Sequence, residues 1–351
     1  MVWQTSGGEP VEVVRYAPAD FFKRTPFDPS LIELLQRERL LVVGVGSVGA
    51  PMALEMARTG IGGLILLDKD RLEIHNCMRH TLGPAYVGWP KAGAMAHYIA
   101  EHVPGCRTVA VDEDLFSGDR SGLRALMAET EPTRILAVTD SLRVQYLCQR
   151  LALCYGLPLM AVWCDNNAVE GEIFLWEPGE AQGWRPGRPR RGCYGCLRPP
   201  EEVTITRSRH FDYSSDDPDT YGGEPALGTF INRINAVASI FLTAWMLRDA
   251  PKRPRLVETL LPYYEGKGLQ YIRLGGPYAY GQEAAGQMTA KAPWGVEWYR
   301  VLQKEECSLC GNPEGNAAVL FPEDRSDGDE VESWEAFEEI PPETTEGRDV
   351  E

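Results

Sequence analysis

The sequence predicts an α/β protein built on a doubly wound, mostly parallel sheet. Short apolar, β-branched runs alternate with segments of helical spacing from residue 40 to residue 163, the order typical of parallel strands joined by helices. A glycine motif follows the first run, and aspartates follow two later ones. With 351 residues and 44% hydrophobic content, the chain is long enough to bury such a core.

The first strand is predicted at residues 40–43, and it leads directly into the motif Gly44-x-Gly46-x-x-Gly49. A strand, a glycine loop and a helix in this order form a Rossmann-like unit, because small residues let backbone N–H groups approach a phosphate. The helix is expected to stop at Gly60. We therefore predict a nucleotide site at Gly44, Gly46 and Gly49.

A second buried strand is predicted at residues 61–67 and is followed by Asp68, which could hold ribose hydroxyls. The segment after it carries further groups suited to a polyphosphate: Asp70, Asn76, Arg79 and Lys91. Two cations there would neutralise phosphate charge, and the amide would orient the phosphates. The alternative is a nicotinamide-dependent oxidoreductase with the same loop, since Asp68 lies 19 residues after Gly49.

The remaining elements complete the alternation and then depart from it. Further helices are predicted at residues 92–103, 123–127 and 142–155, and further strands at 107–111, 134–140 and 159–163. Beyond these, the spacing predicts a C-terminal antiparallel extension, with strands at 171–177 and 269–274 and one long apolar helix at 230–247.

The charge is uneven along the chain. The formal net charge is −16, and residues 323–351 hold 13 acidic and 2 basic residues, so they carry 11 of the 16 excess negative charges. We expect residues 312–351 to form a disordered acidic tail and residues 1–39 to form an arm with a short helix. The preceding body is only mildly acidic, so the net charge by itself does not exclude a nucleic-acid partner. We expect none, because solvated loop charge is the better interpretation of the one basic cluster, Arg185, Arg188, Arg190 and Arg191.

Targeting signals are not evident in the sequence. The first forty residues contain no uninterrupted apolar core, and no run approaches the roughly 20 apolar residues of a membrane span. We therefore expect a cytoplasmic protein with no membrane partner.

Four of the nine cysteines form two pairs, Cys193-x-x-Cys196 and Cys307-x-x-Cys310. Each pair can hold one side of a tetrahedral zinc ion, and four protein ligands leave no open position for catalysis. A structural zinc site is therefore expected. A redox-active pair is a weaker alternative, because such pairs usually begin a helix after a strand and neither pair is predicted to do so.

Together these motifs resemble the superfamily of ThiF, MoeB and the ubiquitin-activating enzymes, in its bacterial single-domain form. The matching positions span residues 40–311 in the order of the family, and they are Gly44-x-Gly46-x-x-Gly49, Asp68-x-Asp70, Asn76-x-x-Arg79, Lys91, Thr139-Asp140 and the two cysteine pairs. The resemblance implies adenylation of the C-terminal glycine of a ubiquitin-like protein, with ATP and Mg²⁺ as cofactors and release of pyrophosphate.

The resemblance also assigns roles to residues. It implies that the glycine loop holds phosphates, Asp68 holds the ribose, Arg79 and Lys91 contact phosphates, and Asp140 acts through magnesium. It further implies zinc on the four paired cysteines and a homodimer, in which an N-terminal arginine, Arg15 or Arg24, could act across the interface.

This chain departs from the family at several positions. Ser141 follows Asp140 where asparagine is common, and His80 follows Arg79 where glutamine is common. Residues 201–228 contain no cysteine, so the resemblance implies that the acyl-adenylate passes to the thiol of another protein. That protein would be a conjugating enzyme or a sulfurtransferase, and a bacterial ubiquitination-like antiphage system is one setting.

A third hypothesis is an inactive scaffold that binds partners through its tail and long helix. The presence of Arg79, Lys91 and Asp140 together argues against it, because a scaffold has no physical need for these charges.

Overall fold

The computed structural model describes residues 18–164, 170–178, 191–199, 226–262, 264, 269–275, 282–284, 287–289, 295–304, 306–311 and 313–321. Three regions discussed above lie outside these residues: Arg15, residues 201–225 of the cysteine-free range, and the tail from residue 322.

The largest sheet has eight strands, and it confirms the predicted fold class. Its strands are β1 (Arg39–Val43), β2 (Gly63–Leu67), β3 (Arg107–Val111), β4 (Arg134–Ala137), β5 (Leu159–Cys164), β6 (Gly171–Trp176), β7 (Tyr271–Leu274) and β10 (Val296–Tyr299). Five neighbouring strands are parallel, in the order β3-β2-β1-β4-β5, and β6, β7 and β10 follow as an antiparallel extension. A separate hairpin joins β8 (Gln282–Ala284) and β9 (Gln287–Thr289).

Helices cover both faces of the sheet. The helices are α1 (Pro29–Leu35), α2 (Gly49–Thr59), α3 (Lys91–His102), α4 (Ser121–Thr130), α5 (Leu142–Tyr155), α6 (Tyr194–Leu197), α7 (Gly228–Met246), α8 (Arg255–Leu261) and α9 (Pro313–Leu320). Leu40 and Val42 of β1 pack with α1, α2, α3 and α7, whereas Leu41 and Val43 pack with α4, α5, α6 and α9. Alternate side chains of one strand therefore enter two cores, which explains the continuous apolar run.

The N-terminal helix packs on the protein's own core. Asp28 caps α1 by accepting hydrogen bonds from the Ser30 and Leu31 N–H groups at 3.0 and 3.1 Å, the usual role of aspartate at this position. Leu35 is fully buried in the same core as the glycine-loop helix α2. The predicted short helix is thus part of the folded body.

The expected boundary at residue 311 differs from the structure, because α9 continues the fold. The Asn316 side chain accepts a hydrogen bond from Arg150 of α5 at 2.6 Å, and both residues are buried. Arg120 donates to the carbonyl groups of Val319 and Leu320 at 2.7 and 3.0 Å, which satisfies carbonyls at the end of α9. Residues 313–321 therefore belong to the folded domain, because these hydrogen bonds attach α9 to Arg150 and Arg120.

The long helix α7 is a core helix. Ile231, Ile234 and Leu242 are at most 1% exposed and pack with α2 and the sheet. In the described part of the chain, no helix combines the length and the apolar character that a membrane crossing requires.

Candidate functional site

The glycine loop joins β1 to α2 in a close-packed turn. Gly44 has a φ of +96°, and a Cβ atom there would lie 2.7 Å from the Val138 carbonyl oxygen. A Cβ atom on Gly49 would overlap the Gly44 carbonyl oxygen, whereas one on Gly46 would meet nothing within 4 Å. Two of the glycines are therefore required by the protein's own packing, and Gly46 leaves open space beside the loop.

Asp68 connects the end of β2 to the glycine loop. Its two carboxylate oxygens accept hydrogen bonds from the N–H groups of Val45 at 2.6 Å and of Asp70 at 2.9 Å. Burial raises the pKa of Asp68, and the nearby Lys91 ammonium group acts in the opposite direction. Each oxygen keeps a further lone pair, so the carboxylate can still accept hydrogen bonds from hydroxyl groups.

Lys91 and Asp70 form an ion pair beside Asp68. The Lys91 ammonium nitrogen lies 2.9 Å from an Asp70 carboxylate oxygen, and its side chain is 13% exposed. The Lys91 N–H group also donates to the Asp70 carbonyl oxygen at 2.9 Å. The two residues therefore fix each other at the start of α3.

Asn76 ends a short 3-10 turn at Ile74–Asn76, and Arg79 lies three residues beyond it. The Asn76 Oδ1 atom accepts the Glu73 N–H at 3.0 Å, and the Asn76 carbonyl accepts the Arg79 N–H at 2.9 Å. Among the described residues, nothing forms a hydrogen bond or an ion pair with the half-buried Arg79 guanidinium group. The cation is held by its backbone and remains available to a ligand.

Asp140 lies three residues beyond the end of β4, because the strand is shorter than the predicted range 134–140. The Val138 N–H still donates to the Val43 carbonyl oxygen at 2.9 Å, and the chain then leaves the sheet. Asp140 is exposed. Ser141 caps α5 by accepting the Val144 N–H at 3.4 Å, a role that asparagine performs equally well.

His80 contacts the glycine loop, which sequence reasoning did not predict. Its Nδ1 atom accepts the Leu82 N–H at 3.0 Å, so the ring proton lies on Nε2, which donates to the Val45 carbonyl oxygen at 2.8 Å. Burial lowers the pKa of His80, the hydrogen bond to Val45 raises it, and Lys91 lowers it. The neutral ring therefore holds the Val45 carbonyl group, while Asp68 holds the Val45 N–H group.

We predict that His80 makes the stability of the protein depend on pH. Because its pKa is lowered on folding, the unfolded chain binds a proton first as the pH falls below about 6.5. His80 should therefore contribute full stability above that pH and lose it as the pH falls through the lowered pKa. Unfolding by denaturant, measured between about pH 7.5 and about pH 5.5, should show a smaller decrease for His80→Gln than for wild type.

Glutamine is a suitable replacement because it offers an N–H donor and an acceptor but does not titrate. The other histidines are present in both proteins, so their titration cancels in the comparison. Equal pH dependence for the two proteins would contradict the prediction.

The four paired cysteines form one cluster. Their sulfur atoms all lie within 4.8 Å of one another, with Cys193 3.6 Å from Cys307 and Cys196 3.4 Å from Cys310. Four sulfurs at about 2.3 Å from a zinc ion lie roughly 3.8 Å apart, so the donor set fits zinc. The cluster joins α6 to the segment before α9 and could hold a structural metal.

Backbone and side-chain donors surround this cluster. The Lys304 N–H donates to the Cys196 sulfur at 3.3 Å, and the pKa of Cys196 is lowered to about 7, first by its hydrogen bond with Cys193. Cys193 stands immediately before the four-residue helix α6 and makes no side-chain capping bond, so this pair does begin a helix, contrary to the expectation. Because all four thiols lie together, the cluster still favours metal binding over the role of a redox-active cysteine pair.

Helix α7 contacts both the glycine loop and the segment before Arg79. The Asn235 amide nitrogen donates to the Ser47 carbonyl oxygen of the glycine loop at 3.1 Å. At the start of the helix, a Cβ atom on Gly228 would lie 3.2 Å from the Met78 carbonyl oxygen. Asn235 was not recognised from the sequence, and its only signal was an amide within an apolar helix.

Comparisons with known proteins identify relatives of this chain. Residues 23–252 match the model of the ThiF family. The molybdopterin-synthase adenylyltransferase of Escherichia coli (strain K12) is 30% identical over 187 residues, which cover 53% of this chain and 68% of that protein. The uncharacterized protein y4qC of Sinorhizobium fredii (strain NBRC 101917 / NGR234) is 26% identical over 211 residues, which cover 58% of this chain and 33% of that protein. The chain thus spans about a third of one curated relative and about two thirds of the other.

The fold also resembles solved structures. The structure of E. coli MccB with MccA-N7isoASN has a TM-score of 0.55 at 14% sequence identity, and the match covers 81% of this chain and 69% of that one. At this identity the likeness shows the shared fold.

Proposed function

The chain belongs to the ThiF family, and we propose that it uses ATP to adenylate the C-terminal carboxylate of a protein substrate. The substrate proposed is a ubiquitin-like protein with a C-terminal glycine. The name of the E. coli relative, an adenylyltransferase, supports the reaction class. The adenylation domain is proposed to comprise residues 40–311, extended by α9.

The observation that carries the proposal is that the glycine loop and two aspartates lie at one edge of the sheet. The glycine loop, Asp68 and Asp140 follow the C-terminal ends of β1, β2 and β4, which are neighbours in the sheet. Ligands of doubly wound sheets bind at this edge. Lys91 is joined to Asp68 electrostatically, and Arg79 is adjacent to the loop-bound His80.

The proposed reaction needs cations more than it needs a base. A carboxylate oxygen attacks the α-phosphorus of ATP, the bond from that phosphorus to the bridging oxygen breaks, and its electron pair leaves with pyrophosphate. No proton is transferred. Two anions approach each other, so fixed positive charge at Arg79 and Lys91 would lower the barrier. Asp70 would hold the Lys91 ammonium group in place.

Two metals are part of the proposal. Asp140 would hold Mg²⁺, which binds through one or two carboxylates together with substrate phosphates, and the exposure of its carboxylate fits that requirement. Magnesium would supply charge neutralisation of the phosphates. Zinc on Cys193, Cys196, Cys307 and Cys310 would be structural.

The partners are also proposals. The acyl-adenylate would pass to the thiol of a conjugating enzyme or a sulfurtransferase, and an antiphage conjugation system is one possible setting. The protein is proposed to act as a homodimer. A nicotinamide oxidoreductase is not favoured, because it would use the loop and Asp68 but leave Arg79 and Lys91 without a role.

The test is ATP–pyrophosphate exchange with magnesium and a ubiquitin-like protein that ends in Gly-Gly. We expect exchange by wild type and a loss of about 100-fold or more for Asp140→Ala, because the carboxylate that would hold Mg²⁺ beside the phosphates is removed. Asp249→Ala is the matched control, since Asp249 is exposed and, within the part of the chain that the structure describes, pairs only with the neighbouring Arg248.

Two results would contradict the proposal. One is equal exchange by wild type and Asp140→Ala. The other is thermal stabilisation by NAD but not by ATP with magnesium, since a ligand stabilises the native state that binds it.

A further inference from the structure

Two buried glutamines of α5 contact the short helix α6. Gln145 and Gln149 are 2% and 0% exposed, and they lie one helical turn apart on the same face. A buried amide is costly unless it forms hydrogen bonds. Their contacts therefore indicate what this face of α5 must hold.

Both glutamines bind Tyr194, which lies between two cysteines of the cluster. The Tyr194 hydroxyl donates to the Oε1 atom of Gln145, and the Tyr194 N–H donates to the Oε1 atom of Gln149 at 3.0 Å. Tyr194 is fully buried. Cys193 and Cys196 fix the backbone on either side of it when the cluster holds a metal.

The same amide of Gln145 reaches the candidate nucleotide site. Its Nε2 atom donates to the Thr139 carbonyl oxygen at 2.6 Å, and Thr139 immediately precedes Asp140. Because the Tyr194 hydroxyl occupies the acceptor side of the amide, the donor side is directed at Thr139. Two hydrogen bonds, one buried and one partly buried, therefore connect Tyr194 through Gln145 to the segment that carries Asp140.

We propose that Tyr194 is a positioning residue for the segment 138–141, and that it couples the cysteine cluster to the site of adenylation. The inference rests on the proposed function for its kinetic consequence only. Loss of the hydroxyl leaves Gln145 Oε1 buried without a partner and frees the amide to rotate. The Thr139 carbonyl then loses its donor, and Asp140 loses its fixed position.

The ring of Tyr194 also has a packing role, which the test must separate from the role of the hydroxyl. The ring packs edge-on against Trp163, Phe174 and Tyr146, with centroids 5.5, 5.7 and 5.5 Å away. Phenylalanine keeps these contacts and removes only the hydroxyl. Tyr194→Phe is therefore the informative change.

Tyr146→Phe is the matched control. Tyr146 is also buried on α5, and its hydroxyl donates to the Arg198 carbonyl oxygen at 2.8 Å, a group outside the connection to Thr139. Each substitution deletes one hydroxyl from the same aromatic cluster. A general effect of weakened packing would appear in both variants.

Two measurements test the inference. Hydrogen exchange followed by mass spectrometry should show faster exchange at residues 138–145 in Tyr194→Phe than in Tyr146→Phe. In ATP–pyrophosphate exchange, kcat of Tyr194→Phe should fall by about 10- to 100-fold, because a misplacement of about 1 Å can cost about 100-fold. The half-saturating Mg²⁺ concentration should rise, and metal content should be unchanged in both variants.

The outcomes separate the two proposals. If Tyr194→Phe matches Tyr146→Phe in both measurements, the inference is overturned. If wild type shows no exchange of pyrophosphate while the hydrogen-exchange difference is present, the proposed function fails and the positioning role stands. If Tyr194→Phe loses its metal, Gln145→Met replaces it as the test variant. This change removes the hydrogen bonds of Gln145 to Tyr194 and to Thr139 and leaves Tyr194 and the cysteines intact. Gln145→Met is then compared with Tyr146→Phe in the same two measurements, and equal results overturn the inference.

Discussion

Replacing Arg79 with alanine is expected to lower the rate of ATP–pyrophosphate exchange by about 100- to 1,000-fold, the loss typical when one group that stabilises developing charge is removed. The guanidinium group has no partner among the described residues, so its removal breaks no internal contact. The melting temperature should therefore stay close to that of wild type. Kinetics with varied ATP and thermal unfolding together check both parts.

Two further variants sharpen this test. Arg79→Lys keeps the charge but loses the planar fork that grips two phosphate oxygens, so it should recover only part of the rate. Arg58→Ala removes an exposed arginine that pairs with Glu55 on α2 and should leave the rate unchanged. Equal rates for Arg79→Ala and Arg58→Ala would remove Arg79 from the proposed site.

Substitutions in the glycine loop are expected to separate folding from nucleotide binding. Gly49→Ala forces a Cβ atom onto the Gly44 carbonyl oxygen, and such overpacking costs roughly 1–3 kcal/mol or more. Gly46→Ala meets no protein atom within 4 Å, so its melting temperature should change little. Its methyl group would instead occupy the space beside the loop, and the Kd for ATP should rise by about 10-fold or more.

Thermal unfolding without nucleotide and ATP titration of the folded protein measure the two effects independently. Gly118→Ala is a useful control, because that glycine lies outside the loop and its Cβ atom would also meet nothing, although its φ of +58° should cost some stability. Unchanged ATP affinity in Gly46→Ala would show that phosphates do not approach the loop at this position.

The fold was predictable because the dominant signals are local. The β1 strand is apolar on both faces, since Leu40 and Leu41 enter different cores, and such a run predicts a buried parallel strand. The α5 helix matches its predicted limits, Leu142–Tyr155, because a serine cap precedes it and Gly156 ends it with a φ of +62°. Helix α9 was missed because it lies beside a strongly acidic stretch, whose composition dominated the prediction.

The site was predictable only where chemistry and spacing coincide. Gly44, Gly49 and the cysteine pairs can be recognised from residue type and spacing. In the structure the two glycines lie in one tight turn, and the four cysteines form one cluster. The contacts of His80 and Gln145 depend on partners 35 and 49 residues away. No local pattern specifies such pairs, so the supporting hydrogen bonds had to be found in three dimensions.

The contacts of α7 have a consequence for how the site can move. Gly228 and Asn235 are seven residues apart, which is nearly two full turns of helix and a rise of about 10 Å. One packs against the Met78 carbonyl oxygen and the other binds the Ser47 carbonyl oxygen. A rigid spacer of fixed length therefore separates the segment before Arg79 from the glycine loop. A shift of α7 along its axis would move the segment before Arg79 and the glycine loop together. The distance between the Arg79 cation and the loop would then be preserved.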